Sequence, residues 1–79
     1  MNEIEIIHNC YTNNELLFGK FTILHFTYLN NGIYVNDIQV EDRNGKFEYF
    51  ILEDFIEKYK MEFRKIKLEK IINKIYESL

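Results

Sequence analysis

Residues 35–51 read VNDIQVEDRNGKFEYFI, and their pattern decides what kind of fold this is. Two runs rich in Val, Ile, Phe and Tyr flank Asn44-Gly45. Asn-Gly is the strongest short hairpin signal, because both residues tolerate positive φ. The stretch therefore predicts two antiparallel strands. Side chains alternate along a strand, so Ile38 and Val40 share one face while Asp37, Gln39 and Glu41 take the other.

Towards the N-terminus, Asn31-Gly32 repeats the turn signal and Asn13-Asn14 gives a weaker version of it. Two-residue loops at all three places fix a register. Ile6 falls opposite Phe21, Ile23 opposite Val40, His25 opposite Ile38, and Ile38 opposite Ile51. The shared face then holds Ile4, Ile6, His8, Cys10, Leu17, Phe21, Ile23, Leu29, Tyr34, Ile38, Val40, Phe47, Tyr49 and Ile51. It is apolar almost throughout, which predicts a four-stranded antiparallel meander over residues 2–52. The opposite face mixes Leu24, Phe26, Tyr28, Val35, Phe50 and Leu52 with carboxylates, so it needs a helix or a partner to cover it. The register also sets Glu41 against Glu48, an unfavourable pair that a three-residue loop with a bulge after Asn44 would remove.

From Glu53 the apolar spacing becomes helical. Glu53 and Asp54 suit a helix N-terminus, and Phe55, Ile56, Tyr59, Phe63 and Ile66 form one stripe. Leu68, Ile71, Ile72, Ile75, Tyr76 and Leu79 form a second. Ile66 and Leu68 lie about 200° apart on a continuous helix. The two stripes therefore predict a short helix, a break near Met61–Lys65 and a longer helix over 66–78. The fold class expected is α+β, with a four-stranded antiparallel meander followed by one short and one longer C-terminal helix. Residues 1–79 form one domain, with the sheet over 2–52 and the helical part over 53–79.

A domain of 79 residues buries roughly 60–65% of its unfolded surface, so its core is thin. Such domains usually lean on disulfides, metals or a second copy. Cys10 is the only cysteine, so an internal disulfide is impossible, and the expectation shifts to a homodimer in a reducing cytoplasm. No run approaches the ~18 apolar residues of a membrane span, and acidic Glu3 and Glu5 oppose a signal-peptide reading. The chain has no Ala, Pro or Trp but twelve Ile and nine Asn, a bias of AT-rich coding that points to a low-GC bacterium or its phage.

Charge is divided unevenly. Residues 1–57 carry three basic and ten acidic side chains, a net of −7. Residues 58–74 carry seven basic and two acidic ones, a net of +5, and Glu77 returns the total to −3. A compact basic segment thus follows an acidic sheet.

Few residues offer chemistry. His8, Cys10 and His25 share a face in this register, but structural zinc wants four ligands in defined spacing, and these three sit among Ile, Leu and Phe. They read as core residues, and no metal or cofactor is expected. Gly19-Lys20-Phe21-Thr22 lacks the upstream glycine of a phosphate loop. Asp37 and Glu41 share a face without any nucleophile beside them, so no catalytic residue and no enzyme activity is expected. The seven Phe and six Tyr mostly fill a small core, with Tyr59, Phe63 and Tyr76 near enough to lysines to stack bases.

The segment Val35 to Phe47 resembles the SpoVG family of stage V sporulation and septation regulators. Val35, Asp37, Ile38, Val40, Asn44, Gly45 and Phe47 fall on that family's strand–turn–strand pattern. Phe21 to Leu29 is similar to its preceding strand, and Glu62, Phe63, Arg64, Ile66, Lys70, Ile71, Ile72 and Tyr76 to its final helix. Where the family has a Met-Pro-Ser segment and a basic loop, this chain has Phe50-Ile51-Leu52-Glu53 and residues to Lys60 that read as helix. The resemblance implies a homodimer built through the sheet and a regulator that binds DNA or RNA.

Two functions follow. In the first, a dimeric nucleic-acid-binding regulator neutralises phosphates with Arg64, Lys65, Lys67, Lys70 and Lys74. In the second, an acidic phage-encoded inhibitor of the anti-CRISPR kind presents Glu41, Asp42, Glu48, Glu53, Asp54 and Glu57 to a basic protein effector that handles nucleic acid.

Overall fold

The computed structural model describes residues 2–29 and 35–78. Its elements run α1 (Glu3–Thr12), β1 (Thr22–Phe26), β2 (Asp37–Glu41), β3 (Phe47–Ile51), α2 (Leu52–Lys58) and α3 (Lys60–Glu77). The fold is α+β, but the sheet has three antiparallel strands in the order β1-β2-β3, not four. The expected first strand is helix α1.

Residues 3–12 fit two periods, which the strand expectation overlooked: Ile4, Ile6 and Cys10 fit a strand face, while Ile4, Ile7 and Cys10 fit a helix face. Local chemistry favours the helix. The Asn2 side chain accepts a hydrogen bond from the Glu5 backbone N–H at 2.9 Å, capping the first turn. Glu3 and Glu5 complement the helix dipole there. Asn13-Asn14 then ends the helix instead of turning a hairpin. Asn14 takes a left-handed φ of 54°. Glu15 N–H reaches Cys10 C=O at 2.9 Å and Asn14 N–H reaches Tyr11 C=O at 3.4 Å, the paired bonds of a Schellman ending. The expected pairing of Ile6 with Phe21 therefore does not exist; both are buried, but Ile6 comes from α1.

Ile23 does pair with Val40. A bulge between Ile23 and His25 then slips β1 by one, so His25 meets Gln39 rather than Ile38. The Asn31-Gly32 turn and Tyr34 lie outside the described residues. At the second hairpin, Asp42 N–H bonds Lys46 C=O at 2.9 Å across Arg43, Asn44 and Gly45, and Gly45 adopts φ 83°. This is the three-residue loop with a bulge, and it moves β3 by one residue. Ile38 now pairs with Phe50 and Val40 with Glu48. A one-residue slip exchanges faces, so Phe50 turns inward while Phe47, Tyr49 and Ile51 turn out to solvent.

Helices α1 and α2 lie against the sheet, and α3 packs on α2 and enters the same core through Phe63. The core joins Ile6 and Ile7 of α1, Leu17 and Phe21 of the connecting loop, Ile23, Ile38 and Val40 of the sheet, and Leu52, Phe55 and Phe63. Phe18 sits in left-handed backbone at φ 57°, which costs a non-glycine residue roughly 1–2 kcal/mol. Its ring offsets that cost by packing on Phe63 (centroids 4.8 Å apart) and Tyr59 (5.6 Å). The break between the C-terminal helices falls at Tyr59, and α3 runs unbroken through the expected break at 61–65. Its two stripes consequently point in nearly opposite directions: Phe63 enters the core with Ile66 packed beside it, and the second stripe faces away.

Candidate nucleic-acid interface

Helix α3 carries every residue of the expected phosphate-binding set. At 100° per residue, Lys67, Lys70 and Lys74 fall within an arc of about 60°, Arg64 lies beside that arc, and Lys65 lies across the helix. Lys67, half-buried, bonds the carboxylate of Glu3 on α1, and this contact holds the Glu3 carboxyl below its ordinary range. Its charge is thus already met within the chain. Among the described residues, Arg64, Lys65, Lys70 and Lys74 have no carboxylate within 4 Å, and all four are exposed.

Lys65 and Lys70 border a groove of about 560 Å³ between α1 and α3, together with Lys20, Glu15, Glu62, Glu69 and Cys10. Its charges alternate in sign, so it is no single-sign phosphate channel. Burial pushes the Cys10 thiol up and Glu15 adds to the effect, which leaves Cys10 a weak nucleophile. Lys58 spends its cation nearby, over the rings of Phe50 (5.2 Å) and Tyr59 (5.7 Å).

The expected acidic set does not assemble into one surface. Glu41 pairs with Phe47 on the outer sheet face, while Glu48 pairs with Val40 on the core side. Asp42 accepts from the Asn44 and Lys46 backbone N–H groups inside the hairpin turn, at 2.8 and 2.9 Å. Glu48 is bridged by Lys46 and Glu57 by Lys60, each at 3.2 Å. Of this set, Glu53 and Asp54, in the first turn of α2, stand exposed side by side with no cation within 4 Å among the described residues. The apparent cluster came from nearness in sequence, which the hairpin and the return of α2 undo.

The residues of the metal reading are dispersed, and of the three Cys10 alone packs against the core. His8 is exposed on α1, Cys10 is half-buried on the same helix, and His25 is exposed on β1. Among the described residues, no three potential ligands gather closely enough to hold a metal ion. His25 instead joins a polar group that the sequence reading missed. The Tyr49 hydroxyl donates to Asp37 Oδ2 at 3.1 Å, and His25 Nε2 lies 3.5 Å from Asp37 Oδ1 and 2.9 Å from Thr27 Oγ1. Asp37 raises the titration of Tyr49 above the ordinary phenol range. His25, Asp37 and Tyr49 come from three strands, so only the correct register of β3 brings Tyr49 to the other two. Asp37 and Glu41 do share that outer face, with a tyrosine rather than a nucleophile between them.

Among the described residues, no helix is long and apolar enough to cross a membrane. Comparison with protein-family models, with curated proteins and with solved structures finds no match to this chain. None of these comparisons bears on the resemblance to the SpoVG family.

Proposed function

We propose that this chain is a small dimeric nucleic-acid-binding regulator that grips phosphates along α3. One observation carries the reading: Arg64, Lys65, Lys70 and Lys74 are exposed on a single helix and, among the described residues, have no carboxylate partner within 4 Å. Each is a long, mobile cation able to displace a counterion from a phosphate backbone. The likeness of residues 62–76 to the last helix of the SpoVG family supports the same assignment. Lys67 belongs to the fold instead, because Glu3 already holds it. DNA and RNA share the phosphate chemistry and are both accepted substrates of this reading.

A gel-shift titration with mixed-sequence single- and double-stranded probes tests it. Wild type binds at ~50 mM salt, where electrostatic affinity is greatest. Affinity falls with salt by a slope of roughly 0.7–0.9 per phosphate contact. Replacing Lys70 and Lys74 together by Glu abolishes binding, and replacing Glu53 and Asp54 by Lys leaves it unchanged or tighter. No detectable wild-type shift at ~10 μM protein under these conditions overturns the proposal. Tight capture of a basic protein effector, lost on reversing Glu53 and Asp54, would put the inhibitor function in its place.

A further inference from the structure

The dimer in that reading needs a seam, and the resemblance points to the sheet. We infer that the seam is instead the outward stripe of α3, which pairs antiparallel with the same stripe of a second copy of this chain. Leu68, Ile71, Ile72 and Ile75 are each at least half exposed. They project from the side of α3 nearly opposite Phe63 and Ile66, so the domain cannot cover them by its own packing.

The occupant follows from symmetry, area and charge. The four residues are spaced evenly about the midpoint of Ile71 and Ile72. A copy turned by a twofold axis through that midpoint sets Leu68 near Ile75 of the partner subunit, and Ile71 near Ile72 of the partner subunit. This is the self-complementarity that an isologous interface requires. With Tyr76, the stripe exposes on the order of 500 Å² per chain, so the pair covers about 1,000 Å², the size a specific interface has to reach. The stems of Lys67 and Lys74 add apolar cover along the rim.

Charge favours the antiparallel sense. A parallel pair would bring two Arg64 guanidinium groups together in the seam. The antiparallel pair instead sets the two Arg64 side chains at opposite ends of the seam, far from each other. The lysine rims do meet, Lys67 of one copy with Lys74 of the partner subunit, but Glu3 has already neutralised Lys67. The outer sheet face is the rival seam. It sets Asp37 and Glu41 among its apolar side chains, and two such faces would bring carboxylates together.

Sedimentation and thiol crosslinking, without nucleic acid, test the seam. Wild type at ~100 μM is expected to sediment as a dimer of this small size class. The Leu68→Glu, Ile75→Glu double variant becomes a monomer with unchanged folded-core unfolding, and Phe47→Glu, Tyr49→Glu remains a dimer. Should the first variant lose helix, Leu68→Gln with Ile75→Gln serves as the milder disruption and still weakens the dimer at least tenfold. In a Cys10→Ser background, Leu68→Cys mixed with Ile75→Cys is crosslinked by a short bismaleimide, and neither crosslinks well alone. A wild-type monomer overturns both the seam and the dimer of the proposed function. A dimer that survives both α3 disruptions overturns the seam alone, as does a dimer dissolved by the sheet variant. Efficient crosslinking of each cysteine variant with itself overturns the antiparallel sense.

Discussion

The two halves of α3 are built from similar residues and meet opposite fates. Between Lys60 and Ile66, the apolar side chains Phe63 and Ile66 pack into the domain. Between Leu68 and Tyr76, five apolar side chains stand in solvent. Nothing in intrinsic propensity separates the halves, since each mixes Lys and Glu with residues such as Met, Arg, Leu and Ile that enter helices readily. The difference is tertiary. The first half has α1, Phe18 and Phe55 against it, while the second extends past them. Hydrophobicity marks which side chains need a neighbour, and the backbone decides whether the neighbour comes from the same chain.

The sharpest way to break this contrast is to truncate one residue from each half. Phe63→Ala should cost about 3–5 kcal/mol, most of what a domain of this size has. Urea denaturation would then find the variant largely unfolded. A cost under ~1 kcal/mol would mean that α3 is not docked through Phe63. Ile66→Ala, at the boundary and only half-buried, should cost about 1–2 kcal/mol in the same assay.

Two changes in α1 probe the element against which the inward half rests. Asn2→Ala removes the cap and should cost about 1 kcal/mol, read as a lower melting temperature with less helical signal. Glu3→Gln removes the bond to Lys67 and, after solvent screening of a partly exposed pair, should cost up to about 1 kcal/mol. The sign with pH is fixed. Lys67 lowers the Glu3 carboxyl below its ordinary value of 4.5, so the stabilisation is complete above that value. It is lost as pH falls through the folded value. Wild type and Glu3→Gln should differ fully above about pH 4.5 and converge progressively as pH falls below it. Curves that stay parallel down to pH 2 would deny the ion pair a role in docking α3.

The smallest expected effect lies in the outward half. In dilute protein, where self-association is absent, Ile72→Ala should change unfolding stability by no more than about 0.5 kcal/mol. A large loss there would mean that the domain covers the second stripe after all.

The sequence made the α+β class, the Ile23–Val40 pairing and the helical C-terminus legible, each through a spacing too specific to mean anything else. It misled where two periods fit the same letters. Ile4, Ile6 and Cys10 satisfy a strand, yet the cap made by Asn2 and the left-handed Asn14 turn the segment into a helix. In β3 a single extra loop residue reversed every side chain, so Tyr49 and Phe50 exchanged places. The basic candidates share one helix, so their grouping followed from nearness in sequence. The grouping of the acidic candidates did not, because their placement depends on how the hairpin and α2 fold back.

Ile51 ends β3 and Leu52 begins α2 with no residue between them, and Tyr59 alone joins α2 to α3. From Phe47 to Glu77 the chain thus has almost no slack. A tag, a flexible insert or a circular-permutation break placed within this stretch must distort regular structure, whereas residues 43–45 of the hairpin, all exposed, can absorb one. The same stiffness makes α3 a lever fixed to the sheet. A torque on its outer end is delivered through Tyr59 and α2 to β3, with no linker to dissipate it.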